Sequence, residues 1–204
     1  MSVIICPGIH EPELTESFLE GLGWVGSDKL SNGSKSENIL IFPAQDYPAY
    51  SAFHILQFLG DCGINPLDRH KSPAQLVFIS FSAGVVGAIG AAWAWQALRG
   101  NVKAFIAIDG WGVPLGGNFP IHRLSHDRFT HWSSALLLSG EDNFYASPPV
   151  AHLELWRSPQ TTQGWWVNSK CGKSEQRRLL TAAQFLTMLL ELYSARAQTV
   201  IFDV

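Results

Sequence analysis

Charged side chains are scarce in this chain. Asp, Glu, Lys and Arg make up 15% of its 204 residues, against 47% hydrophobic residues. That balance excludes an intrinsically disordered chain, which lacks the apolar surface to offset the entropy of ordering. No stretch gathers Lys and Arg, and the formal net charge is -3, so the footprint of a nucleic-acid binder is missing. Cysteine is scarce too. Cys6, Cys62 and Cys171 stand far apart and form no C-x-x-C pair, which leaves no pattern for a zinc site or a redox dithiol. A reducing compartment, the cytoplasm, is the simplest setting, and Cys6, at the end of an apolar run, reads as packing. There is no G-x-G-x-x-G after a strand-like run and no G-x-x-x-x-G-K-[ST], so neither a nucleotide cofactor nor a metal is expected. The first apolar run, Val3 to Cys6, is too short for a signal-peptide core and follows no basic segment, so no leader is expected.

One segment imitates a membrane span. Leu76 to Leu98 carries no charge and is long enough to cross a bilayer. Ser80, Ser82, Gly84, Gly87 and Gly90 interrupt it. A buried strand followed by a buried helix accounts for the whole run without a membrane.

What the chain has is a series of short apolar runs between helix-like stretches. The runs are Val3 to Cys6, Asn38 to Phe42, Gln75 to Ser80, Val102 to Ile108 and Ala135 to Leu138. They are apolar on both faces, as parallel strands covered on both sides are. Pro12 opens a helix with Leu14, Phe18, Leu19 and Leu22. Pro48 precedes a second with Phe53, Ile55, Leu56 and Leu59. An Ala/Gly-rich helix runs from Ser82 to Leu98 and ends at Arg99-Gly100. A last helix is predicted from near Ser174, with Leu179, Leu180, Ala183, Leu186, Leu190 and Tyr193 at helical spacing. Ser31 to Glu37 reads as a polar turn, and Thr161 to Lys173 has no clear period. The pattern predicts one α/β domain over 1–204. Its form is a three-layer α/β/α sandwich around a mostly parallel, doubly wound sheet of about five to seven strands. Residues 110–132, rich in Gly, Pro and His, read as a long rim loop or small lid.

The chemically suggestive segment is Phe78-Ile79-Ser80-Phe81-Ser82-Ala83-Gly84. A buried strand ends, and a helix begins just after a Ser. A sharp turn there lifts the hydroxyl above the sheet edge, and the helix N-terminus favours negative charge beside it. Capping the helix is the other task a Ser performs in this position. The segment resembles the nucleophile elbow G-x-S-x-G of the α/β-hydrolase superfamily, with Gly84 in the second Gly position and Ser80 in place of the first. The resemblance implies Ser82 as nucleophile and the N–H of Ala83 as an oxyanion donor. Cys6-Pro7-Gly8-Ile9-His10, after the first strand, then matches the loop that supplies the second donor. Ile9 would be that donor and His10 a rim residue. An ordinary Pro-Gly turn is the alternative.

The resemblance also implies an acid and a base. The run Ala135 to Leu138 leads into Ser139-Gly140-Glu141-Asp142, which makes Asp142 the expected acid and Glu141 its understudy. Asp109, in Ile108-Asp109-Gly110, is the rival. After Asp142 only His152 remains as base. If His152 to Trp156 is a strand, His152 starts it at the wrong end of the sheet. The spacing from Asp142 to His152-Leu153, with Ser147-Pro148-Pro149 between, is similar to the loop of cutinases that holds acid and His together. Cutinases also carry disulfides and are secreted, and neither trait is read here. His122, His126 and His131, in the presumed lid, compete for the role. His122 and His126 could share a helix face, without a third ligand at helical spacing for a metal. His54 and His70 read as structural.

Trp111, Phe119, Trp165 and Trp166 are candidates for an apolar acyl pocket, with packing as the alternative. The expected function is therefore a serine hydrolase of a small-molecule ester, thioester or other acyl substrate. Ser80 in the first Gly position favours the alternative, a non-catalytic protein of the same architecture that binds a ligand or protein partner. No feature sets an oligomeric state.

Overall fold

A computed structural model of the chain describes residues 1–24, 38–66, 74–138, 140, 142–168 and 176–199. Ser31 to Glu37, His70, Ser139, Glu141, Cys171 and Ser174 lie outside the described residues. Eight strands are present among the described residues: β1 (Ser2–Cys6), β2 (Asn38–Ile41), β3 (Gln75–Phe81), β4 (Asn101–Ile108), β5 (Ile121–Ser125), β6 (Asp142–Ala146), β7 (Gln163–Asn168) and β8 (Gln176–Thr181). The helices are α1 (Pro12–Gly21), α2 (Ala52–Asp61), α3 (Gly84–Ala97), α4 (Arg128–Ala135), α5 (His152–Arg157) and α6 (Ala182–Thr199).

The strands form one sheet in the order β2-β1-β3-β4-β5-β6-β7-β8. Pairing is parallel from β2 through β6 and antiparallel for β7 and β8. The side-chain period of two divides each central strand between two cores. Val3, Ile5, Val77, Ile79, Ile106 and Phe81 face a core shared with α1, α5 and α6. Ile4, Cys6, Leu76, Phe78, Phe105 and Ala107 face the core of α2 and α3. A mostly parallel sheet covered by helices on both faces is what the two-sided apolar runs require. Cys6 is fully buried, and burial pushes its thiol pKa up.

Local chemistry sets the helix starts. Pro12 opens α1, where the missing N–H costs nothing. The Ser51 side chain accepts the His54 N–H at the start of α2, and Asp127 accepts the Thr130 N–H at the start of α4. No helix among the described residues is long and apolar enough to cross a membrane. The segment Leu76 to Leu98 divides into β3 and α3 instead.

Four readings of the sequence are corrected. The sheet has eight strands among the described residues, more than the five to seven expected. Ala135 to Leu138 is not a strand but the last residue of α4 and the turn after it, because the sixth strand is Asp142–Ala146. The last helix starts at Ala182, since Gln176–Thr181 pairs with β7 as an edge strand and places Leu179 and Leu180 there. Residues 110–132 form no separate lid, because β5 and the start of α4 occupy the second half.

This topology creates a crevice at the carboxyl ends of β1 and β3. The order reverses at β1, with β2 on one side and β3 on the other, and chains leaving β1 and β3 turn to opposite faces. Ligands in such sheets bind outside the carboxyl ends of the strands at this switch point.

Candidate active site at the carboxyl rim

Ser82 follows the last residue of β3 and stands at that switch point. Its φ of 52° puts a non-glycine residue in the left-handed region, a conformation that costs energy and recurs at functional turns. The turn is held from behind by the Ser82 N–H, which donates to the Ile108 carbonyl at 2.9 Å. Gly84 permits the close approach of α3 to β1. A Cβ there would lie 2.3 Å from the Pro7 carbonyl oxygen and 2.4 Å from that of Cys6. Ser80, in the first Gly position of the motif, is fully buried. Its hydroxyl donates to the Ile106 carbonyl at 3.2 Å, so the larger side chain is satisfied within the sheet.

The Ser82 hydroxyl donates to His152 Nε2 at 3.1 Å. On the far side of the ring, His152 Nδ1–H donates to Asp109 Oδ2 at 2.9 Å. Asp109 follows β4 directly, with a φ of 50°, and its side chain is 1% exposed. His152 is the first residue of α5, not of a strand. The chain leaves β6 at Ala146 and returns over the carboxyl rim before that helix starts. A column of rings fixes the imidazole plane. Phe18 stacks on Trp156 at 3.7 Å, Trp156 on Phe81 at 4.9 Å, and Phe81 on His152 at 4.7 Å.

The carboxylate that meets His152 is therefore Asp109, and the expectation that Asp142 would stand there is corrected. Asp142 is the first residue of β6. All strands from β2 to β6 run the same way, so Asp142 lies on the amino rim, across the sheet from Ser82. Its Oδ1 accepts from Trp166 Nε1 at 2.9 Å and from Asn168 Nδ2 at 2.7 Å, both on β7.

Asp109 also holds a second histidine. His126, one residue past β5, donates its backbone N–H to Oδ1 at 2.9 Å and its Nδ1–H to Oδ2 at 2.9 Å. Burial alone would raise the Asp109 pKa, but the hydrogen bonds from His126 and His152 and the charge of His126 outweigh it and hold the carboxyl below its ordinary value. The hydrogen bond to Asp109 in turn raises His126, against a smaller opposing effect of burial, with the charges of Asp109 and Asp127 adding to the rise.

The other histidines are elsewhere. His122 lies within β5 and is buried. Its Nδ1–H donates to the Asp142 carbonyl at 2.8 Å and its Nε2 accepts from the Tyr193 hydroxyl at 2.6 Å. His122 and His126 thus share no helix face. His131 lies on α4 and stacks on Tyr145 at 5.2 Å. His54 stacks on Tyr47 at 5.1 Å. His10 donates from Nδ1 to the Glu11 carbonyl at 2.9 Å and lies 5.7 Å from the Phe81 ring.

A cavity of about 410 Å³ opens beside Ser82, walled by Val86, Trp111, Val113, Phe129, His126 and His152. Ala83, at the start of α3, also lines it, and its N–H is among the amides at a helix start that no intrahelical carbonyl can take. The loop Pro7 to His10 runs against the turn: a Cβ on Gly8 would lie 3.0 Å from Ser82 Cβ. Ile9 in this loop is 74% exposed. Trp111 lines the cavity beside Ser82. Phe119, expected beside it, does not line that cavity, because it is buried against Phe105 at 6.3 Å and lines a separate cavity of about 470 Å³ with His122, Asp142 and Tyr193. Trp165 and Trp166 lie on β7, away from Ser82.

Arg123, which the sequence did not draw attention to, shapes the cavity wall from behind. It is 2% exposed. Its guanidinium donates to the carbonyls of Leu138 at 2.8 Å, Val113 at 3.0 Å, Leu137 at 3.1 Å and Gly110 at 3.4 Å. It thereby ties the segment bearing Trp111 and Val113 to the turn after α4. Burial lowers its pKa to about 10. Arg123 had one signal in the sequence, the run Ile121-His122-Arg123-Leu124-Ser125, a strand pattern masked by its two basic side chains, and His126, weighed above as a rival base, follows that run directly.

No protein-family model matches the chain, and no curated protein matches it.

Proposed function

We propose that this protein is a serine hydrolase of the α/β-hydrolase type that cleaves an ester or thioester through an acyl-enzyme. The observation that carries this reading is the unbroken hydrogen-bonded chain from Ser82 Oγ through His152 to the buried Asp109 carboxylate. A hydroxyl becomes nucleophilic when a neighbouring base takes its proton and a third group orients that base. His152 Nε2 accepts the Ser82 proton as Oγ attacks the substrate carbonyl. Asp109 keeps the His152 proton on Nδ1 and stabilises the imidazolium. The N–H groups of Ala83 and Ile9 receive the oxyanion. The imidazolium then protonates the leaving alcohol or thiol, and water attacks the acyl-Ser82 by the same steps in reverse.

The pocket supports an apolar acyl or alkyl group. Trp111 and Phe129 are 66% and 68% exposed at its mouth, and Val86 is 46% exposed. Cys6 and Cys62 are free thiols, which suits a cytoplasmic enzyme.

Hydrolysis of p-nitrophenyl esters of increasing chain length tests the reading. The parent is expected to turn over, with kcat/KM rising with acyl length, and Ser82→Ala and His152→Ala to lose activity. Equal turnover by the parent and His152→Ala would overturn it.

A further inference from the structure

Asp109 Oδ2 receives the Nδ1 atoms of two rings, His126 and His152, each at 2.9 Å. One ligand atom from each of the three residues lies within 4.8 Å of the others. The two ring nitrogens are thus aimed at one point. A zinc-type cation sits about 2.0–2.2 Å from nitrogen and carboxylate ligands. A retreat of Oδ2 by on the order of 1 Å would let such an ion take the point where the two rings converge.

The outer surroundings fit the same occupant. A histidine that binds a metal through Nδ1 carries its proton on Nε2, and that N–H is normally given to an acceptor. For His152 it is Ser82 Oγ, 3.1 Å from Nε2, while for His126 the Asp127 Oδ2 stands 3.6 Å from Nε2, an ion-pair separation longer than a hydrogen bond. The site is also reachable. The His126 and His152 side chains are 27% and 41% exposed and open on the cavity beside Ser82.

We propose that Asp109, His126 and His152 form a site for one divalent cation of the zinc type, completed by water, and that binding moves the His152 proton from Nδ1 to Nε2. The donor set of two imidazoles and one carboxylate suits zinc, copper and nickel over magnesium or calcium. On each neutral ring the Nδ1 proton leaves to solvent and Nε2 takes one up from solvent, so the ring stays neutral with no net proton release, while the carboxylate stays ionised. On the hydrolase reading this is an off switch, because the lone pair that would accept the Ser82 proton is gone. The site itself stands on the geometry of the three ligands.

The test uses the full chain, as parent and as Ser82→Ala, titrated with Zn²⁺ and Co²⁺. One equivalent should bind, and Co²⁺ should give the intense visible bands of a four-coordinate centre. His126→Asn and His126→Gln, each checked for cooperative melting, should weaken binding by at least about 100-fold. Asp127→Asn, which can still cap α4, should weaken it less than the His126 variants do, because it removes only a charge 3.6 Å from His126 Nε2. In the parent, ring ¹⁵N shifts should show Nδ1 of both histidines bound to Zn²⁺ and the His152 proton on Nε2. Absence of stoichiometric binding by the parent would overturn the proposal. So would binding unchanged in the His126 variants, or a His152 proton that stays on Nδ1 with metal bound. None of these readouts uses turnover. An unreactive Ser82 in metal-free protein would remove the hydrolase reading and leave the metal site standing.

Discussion

One oxygen of Asp109 accepts from both His152 and His126, each at 2.9 Å, while the carboxylate of Asp142, the acid that chain order favours, accepts from Trp166 and Asn168 at the far end of the sheet. The two carboxylates therefore separate by experiment. Asp109→Asn should lower kcat by about 1,000- to 10,000-fold, the scale of losing the tautomer control of a catalytic histidine. Asp142→Ala should leave kcat within about threefold but cost roughly 1–3 kcal/mol of stability, because the Trp166 and Asn168 donors, part-buried, lose their acceptor. Steady-state kinetics and urea unfolding on both variants check this.

The pair of Asp109 and His126 should give stability a definite pH dependence. Asp109 has a lowered folded pKa, so its contribution is complete above its unfolded value of about 4 and is lost as pH falls through the folded value. His126 has a raised one, so its contribution is complete below about 6.5 and is lost as pH rises through the folded value. The stability gap between the parent and His126→Asn should be widest between these limits. Urea midpoints at about pH 5.5 and about pH 9 should show the gap narrowing at the higher pH. A gap that widens would contradict the assigned signs.

Arg123 gives a third test. Arg123→Met keeps much of the volume but leaves the carbonyls of Leu137, Leu138 and Val113 without their donor. A loss of about 2–4 kcal/mol is expected. KM for long-chain esters should rise more than kcat falls, because Trp111 and Val113 lose their support from behind.

The ring column behind His152 should act on kcat alone. Phe81 stacks on His152 at 4.7 Å and is not among the residues lining the cavity. Phe81→Leu should cost about 1–1.5 kcal/mol of stability. It should also lower kcat by about tenfold through a looser imidazole, with KM unchanged.

The turn at Ser82 was legible because a buried strand, a small polar residue and an apolar helix follow one another without a gap. His152 was legible by chain order alone; its place on a helix was not, because its position depends on where β6 ends. The choice of acid failed on a four-residue apolar run. Ala135 to Leu138 is too short to tell a strand from a helix end by periodicity, and reading it as a strand moved Asp142 to the wrong rim. The five residues Asp142–Ala146, with two polar side chains at their start, concealed the true β6. Asp109 and His126 meet only through the parallel register of β4 and β5, a relationship between segments that no local pattern encodes. Gln176–Thr181 looked helical because Leu179 and Leu180 continue the spacing of α6, and pairing with β7 overrides that spacing.

Whether Ser82 is an activated nucleophile is read by peptide mapping after reaction with a fluorophosphonate. One adduct is expected, on Ser82, in the metal-free parent, with none in Ser82→Ala and a rate at least about 100-fold lower in His152→Ala. A parent that stays unmodified, or one modified at a serine other than Ser82, would contradict that role.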